Sequence, residues 1–232
     1  MIVSNTTDRH RDHITPEMVD DDADLLDSYL HIRRATERLC APLATEDYVV
    51  QAMPDASPIK WHLAHTSWFF ETFVLRPHLA EYMPLHEAYQ TLFNSYYNSI
   101  GTPFPRPERG HLSRPTVAEV YAYRAHVDKA MLTLLERLPE SLSPIVDLGL
   151  NHEQQHQELI LADLKYALAV NPLRPAYVEN GARTEGATLQ LSFVAFAGGL
   201  TEIGFDGSGF AFDNELPRHR VYLRHFSSPI AL

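Results

Sequence analysis

SPIVDLGLNHEQQHQELILADLKYALAV, residues 143–170, is the stretch on which the reading of this chain turns. Ser143-Pro144 places a capping residue before a proline, a common way to open a helix, and Asn171-Pro172 supplies the stop. Leu148, Leu159 and Ile160 make the helix between them substantially buried. His152 and His156 are four residues apart, so on a helix they project from one face, about 40° apart around the axis. Two imidazoles so placed in a bundle core need polar partners, because an unpaired buried polar group is costly. A borderline divalent metal such as iron, zinc or cobalt is an economical partner for both.

A third ligand has to come from another helix. SPIKWHLAHTSWFFETFVL, residues 57–75, repeats the capping residue-then-proline start and reads as a mostly buried, aromatic-rich helix ending near Arg76-Pro77. It offers both His62 and His65, and helical spacing alone leaves the choice between them open. Three neutral nitrogens would leave coordination positions free, as at reactive rather than structural metals. His152-Glu153-Gln154-Gln155-His156 also fits the HExxH pattern of zinc peptidases, with Glu153 as the potential general base. Such enzymes usually take their third ligand downstream. Glu158 lies about 200° around the helix from His156; it is expected to bond a neighbouring helix instead.

Outward from these two segments, Asp22–Leu43 carries the helical stripe Leu25, Leu26, Tyr29, Ile32, Arg33 and Leu39. A further helix is expected between Pro84 and Tyr97, and a long one over 116–138 after a cap at Ser113 or Arg114. Long helices joined by turns give an up-and-down bundle. Between them, NSIGTPFPRPERGHLSRP (98–115) has too many prolines for helix or central strand. Its Arg106, Arg109 and Arg114 are candidates for clamping a carboxylate. After Pro175 the composition turns to short apolar stretches split by glycines, as in LQLSFVAFA (189–197) and RVYLRHF (220–226), which reads as β structure and turns. Residues 1–20 read as a polar lead-in, 21–175 as the helical bundle, and 176–232 as the start of a second, incomplete domain.

The bulk numbers exclude several classes. With 19 Lys plus Arg against 30 Asp plus Glu the net charge is −11, which disfavours nucleic acid and anionic membranes as partners. Cys40 is the single cysteine, so no intramolecular disulfide forms. There is no signal-peptide core and no apolar run of membrane-spanning length, so a soluble, cytoplasmic protein is expected.

Taken in order, PIKWHLAHTSWFFETF (58–73), LFNSYYNSIG (92–101), PRPERGHLSRPTVAEVYAYRAHVD (105–128), NHEQQHQELILADLKY (151–166) and GFAFDNELPRHRVYLRHF (209–226) resemble the sulfoxide synthases of ergothioneine biosynthesis, or hercynine oxygenases. The resemblance implies a mainly α fold, a DinB-like four-helix bundle, followed by the opening of a domain like formylglycine-generating enzyme and C-type lectins. It implies Fe(II) held by His65, His152 and His156, with His62 outside the ligand set, and Gln155 near the hercynine imidazole. An arginine of the proline-rich loop, Arg109 or Arg114 foremost, is implied at the carboxylate of the thiol partner. The implied reaction joins γ-glutamylcysteine or cysteine to C2 of hercynine (trimethylhistidine), with oxygen as oxidant and a sulfoxide as product. In that family the second domain supplies the catalytic tyrosine, so a truncated form with reduced or no turnover is expected. Two other readings of the same residues are a zinc-dependent hydrolase or thiol transferase, and a metal-binding remnant without catalysis.

Overall fold

The structure, a computed structural model, describes residues 25–178 and 191–229; the 1–20 lead-in lies outside them. Among the described residues the helical part comprises α1 (Leu25–Cys40), α2 (Ile59–Phe70), α3 (Arg76–His78), α4 (Tyr89–Leu92), α5 (Val117–Leu135) and α6 (Ser143–Val170). Four of these, α1, α2, α5 and α6, are long enough to bundle. The main seams join α2 to both α5 and α6, and α1 to α6. A mainly helical bundle followed by a small β segment is the architecture expected from the sequence.

The core lies where aromatic and aliphatic faces meet, with Tyr29, Leu63, Trp68, Phe70, Tyr123, Met131 and Ile160 almost completely buried. Helix α2 is buried along its whole length, as its aromatic-rich sequence demands. It runs into α3 through a wider π turn at Glu71–Leu75. Pro77 has no N–H to donate to the carbonyl four residues back, and the turn widens just before it. Gly149 sits where α6 crosses α2. A Cβ there would lie 2.5 Å from Phe70 Cε1 and 2.9 Å from Phe69 Cε1. The missing side chain is therefore what lets the two helices approach.

Local details correct the sequence reading at several points. The helix expected between Pro84 and Tyr97 is a single turn, Tyr89–Leu92; the rest is held by Asn94, whose side chain donates to the carbonyls of Tyr97 and Gly101. The proline-rich loop contains a 3₁₀ turn at Arg106–His111. Helix α5 is capped by Thr116 with Glu119 in a reciprocal capping box, rather than by Ser113 or Arg114. Ser57 does not cap α2. Its hydroxyl accepts from Arg109 and its N–H donates to Asp163. Glu158 is exposed, and among the described residues the bond to a neighbouring helix is made by Gln157, which donates to Ile32 O and Thr36 Oγ1.

The C-terminal segment forms two antiparallel pairs, β1 (Phe193–Phe196) with β4 (Phe226–Pro229), and β2 (Gly199–Ile203) with β3 (His219–Leu223). Its strands leave Phe193, Leu200 and Tyr222 more than half exposed.

Gly149→Ala tests the helix crossing. Alanine gains about 1 kcal/mol of helix propensity, but overpacking against two phenyl rings costs about 1–3 kcal/mol. We expect a lower urea midpoint for the variant; an unchanged or higher midpoint would show that α2 and α6 have slack at the crossing.

Candidate metal centre

His65, His152 and His156 come together between α2 and α6, with one ring nitrogen of each within 4.8 Å of the others. Ring centroids are 4.6 Å apart for His152 and His156, 4.8 Å for His65 and His156, and 5.0 Å for His65 and His152. Each imidazole is oriented from outside the cluster. His65 is stacked between Trp61 and Trp68, at 4.5 and 5.3 Å, and its Nδ1 lies 2.6 Å from Phe93 O. A carbonyl only accepts, so that nitrogen carries the proton and Nε2 is the lone-pair nitrogen. His152 packs on Phe69, and its buried Nδ1 has no hydrogen-bond partner. That orphaned atom fits a ligand-binding role, since a buried imidazole nitrogen is seldom left unmet.

Burial pushes the pKa values of His62, His65 and His156 down, and that of His152 to about 4. The imidazoles are thus neutral near pH 7, the form in which they bind a metal. Three neutral nitrogen donors suit iron, zinc or cobalt alike.

His62 lies beside the cluster. Its Nδ1 is 2.8 Å from His156 Nδ1, and its Nε2 is 3.1 Å from Asp163 Oδ2. It contacts one of the three histidines rather than joining their group.

Glu153, the potential base of the HExxH reading, is fully buried and committed elsewhere. Its Oε2 accepts from Arg33 at 2.8 Å; its Oε1 accepts from Thr36 at 2.7 Å and Arg124 at 3.0 Å. Although burial raises its pKa, the two guanidinium groups outweigh that and hold it at about 2. A carboxylate so anchored is a poor proton acceptor for a water, which counts against peptidase chemistry.

The loop arginines divide. Arg109 is buried, stacked over Trp61 with Cζ 3.3 Å from the ring centroid, and donates to Ser57 at 2.9 Å and Ser95 at 3.4 Å. Its buried Nε has no partner, and it makes no ion pair among the described residues. Burial without a carboxylate lowers its pKa to about 9. Arg114, by contrast, is exposed and donates to the carbonyl of Ser113, and Arg106 is exposed on Asp55 O. The structure does not bring Arg114 to the histidines.

His152 and Gln155 line a cavity of about 770 Å³ between α6, Tyr96–Tyr97 and the 205–216 turn of the C-terminal segment. Asp147 and Asp213 line it too, with Phe69, Phe210 and Phe212. The sequence reading named Gln155 but missed Asp147, Tyr96 and Tyr97. It also missed Asp163, which stands seven residues after His156 and so on the same helical stripe.

Residues 29–160 match the family model of the DinB superfamily, and the chain belongs to that superfamily. It is also similar to the hercynine oxygenase of Mycolicibacterium thermoresistibile, 30% identical over 184 residues. That match covers 72% of this chain and 36% of the relative, so the chain spans roughly a third of the relative's length. No helix among the described residues is long and apolar enough to cross a membrane.

Two predictions follow from these charges. Glu153→Gln removes the buried carboxylate that Arg33 and Arg124 share, leaving Arg33 with Asp128 and Arg124 with the more exposed Glu37, and is expected to cost roughly 3–5 kcal/mol, read from urea unfolding; stability equal to the parent would mean the ion-pair network is dispensable. The buried histidines act over a different range. Their folded pKa values lie below the ordinary 6.5, so as pH falls from 6.5 towards 4 the unfolded chain takes up protons that the folded chain refuses. Stability of the metal-free protein should therefore drop across that window, and a flat melting temperature there would contradict neutral buried imidazoles.

Proposed function

We propose that the chain is the metal-binding part of a hercynine oxygenase-type sulfoxide synthase, with Fe(II) held by His65, His152 and His156. On this reading the enzyme uses oxygen to join a cysteine-type thiol to C2 of the hercynine imidazole. When bound, the iron would supply the redox chemistry with oxygen and a place where both organic partners meet. Residues 21–175 would form the metal-binding bundle, and residues 176–232 the start of a second domain like formylglycine-generating enzyme.

The observation that carries the reading is the trio of neutral imidazoles on α2 and α6, one of which opens onto a cavity with matching chemistry. Hercynine bears a fixed trimethylammonium charge. Asp147 and Asp213 supply negative charge, and the rings of Tyr96, Tyr97 and Phe210 offer the faces on which quaternary ammonium groups rest. Gln155, which lines the same cavity as His152, would hydrogen-bond the substrate imidazole. Arg109, positive, unpaired and aligned by Ser57 and Ser95, would take the carboxylate of γ-glutamylcysteine or cysteine. The similarity to a hercynine oxygenase supports the same assignment. The committed state of Glu153 leaves the zinc-hydrolase reading without its base.

The test loads the chain anaerobically with Fe(II), adds hercynine and γ-glutamylcysteine, admits oxygen, and follows oxygen uptake and the sulfoxide by mass spectrometry. Substrate-dependent uptake with sulfoxide formation is expected, at a rate set by how much of the second domain the chain supplies. His152→Ala should abolish stoichiometric iron binding. A wild-type chain that binds no iron, or a His152→Ala variant that binds it as tightly, would overturn the assignment.

A further inference from the structure

Among the described residues, His156 is the member of the trio with a ring nitrogen within hydrogen-bond distance of another histidine. The chain of contacts beyond it is short and buried: His156 Nδ1 to His62 Nδ1 at 2.8 Å, then His62 Nε2 to Asp163 Oδ2 at 3.1 Å. His62 is 3% exposed and His156 is 7% exposed, so water does not compete for these bonds. Asp163 is fixed from a second direction, because the backbone N–H of Ser57 donates to the same Oδ2 at 2.9 Å.

The direction of each hydrogen bond follows from the end of the chain. An ionised carboxylate only accepts, so His62 Nε2 carries the proton. A neutral imidazole holds a single N–H, so His62 Nδ1 is bare and must accept. His156 Nδ1 is then the donor, and its proton leaves His156 Nε2 as a lone-pair nitrogen. We propose that Asp163 and His62 form a relay that fixes His156 in the tautomer able to bind a metal through Nε2. The proposal rests on the metal-site reading above and gives His62 and Asp163 a role as positioning residues. Ligating histidines are commonly oriented by a carboxylate, carbonyl or water on the other ring nitrogen. Here an imidazole is inserted between ligand and carboxylate, and it bridges the gap from α2 back to Asp163 on α6.

The experiment loads the full chain with zinc, a diamagnetic probe, and reads histidine tautomers by ¹⁵N-detected NMR. His156 is expected to be coordinated through Nε2 and protonated on Nδ1, with His62 neutral, protonated on Nε2 and not coordinated. Zinc affinity by chelator competition is measured in parallel. His62→Phe, which removes the acceptor, should weaken binding about tenfold to a hundredfold. His62→Gln, whose amide oxygen accepts the same bond, should recover most of it. Should His62→Phe fail to fold, as judged by circular dichroism, the wild-type NMR and the His62→Gln affinity still decide. Coordination of His156 through Nδ1, coordination or double protonation of His62, or a folded His62→Phe variant that binds as tightly as wild type would overturn the relay alone. A wild-type chain that binds no zinc would overturn the metal-site reading beneath it.

Discussion

Helices α2 and α6 cross at Gly149, with the rings of Phe69 and Phe70 lying where a side chain would otherwise stand. Everything at the candidate site depends on that close approach. His65 belongs to one helix and His152 and His156 to the other, and three nitrogens can share one ion only if the helix axes come near enough for short imidazole arms to meet. Phe69 both defines the crossing and packs against the His152 ring. The packing that brings the helices together therefore also orients a ligand candidate. Such a site is built into rigid elements rather than hung on loops, which favours a fixed coordination geometry.

The same short segment of α6 serves two environments by helical phase. His152 and His156 face α2, while Glu153, one residue on, points into a buried cluster with Arg33 of α1 and Arg124 of α5. Arg33 also pairs with Asp128 and donates to Ser67, so a single guanidinium ties α1 to α5, α6 and α2. Buried ion pairs of this kind add little net stability over an apolar core, yet they are costly to break, so they favour one arrangement of the helices over others. Glu153 is thus a structural partner, and the HExxH pattern is produced here by a histidine pair overlapping an interhelical anchor.

The helices and the histidine pair were legible because they are written in local spacing. A four-residue separation and a proline-marked start need no knowledge of tertiary contacts. His62 against His65 was not decidable that way, since both lie three residues apart on a helix that is buried all round and has no polar face to break the tie. The loop arginines were harder still. Arg109 and Arg114 look alike in sequence, but only Arg109 folds inward, because Ser57, Ser95 and the face of Trp61 are all contributed by segments distant in the chain. The helix expected between Pro84 and Tyr97 likewise shortens to the single turn α4, followed by a loop that the Asn94 side chain closes by donating to the carbonyls of Tyr97 and Gly101, contacts that no periodicity marks.

Charge then organises what lies around the histidines. Neutral imidazoles impose no field of their own, so neighbouring groups determine which partner approaches from which side. The cavity beside His152 and Gln155 has two aspartates and several aromatic faces, an environment for a cation. On the other flank of His65, beyond Trp61, stands Arg109, a buried positive charge without a counter-ion among the described residues. Leaving such a charge unpaired is expensive, and the cost is relieved when an anion arrives. The two flanks of one histidine cluster thus differ in the sign of charge they favour, negative groups on the cavity side and a buried guanidinium on the other. That difference is set by residues of the bundle together with the 205–216 turn.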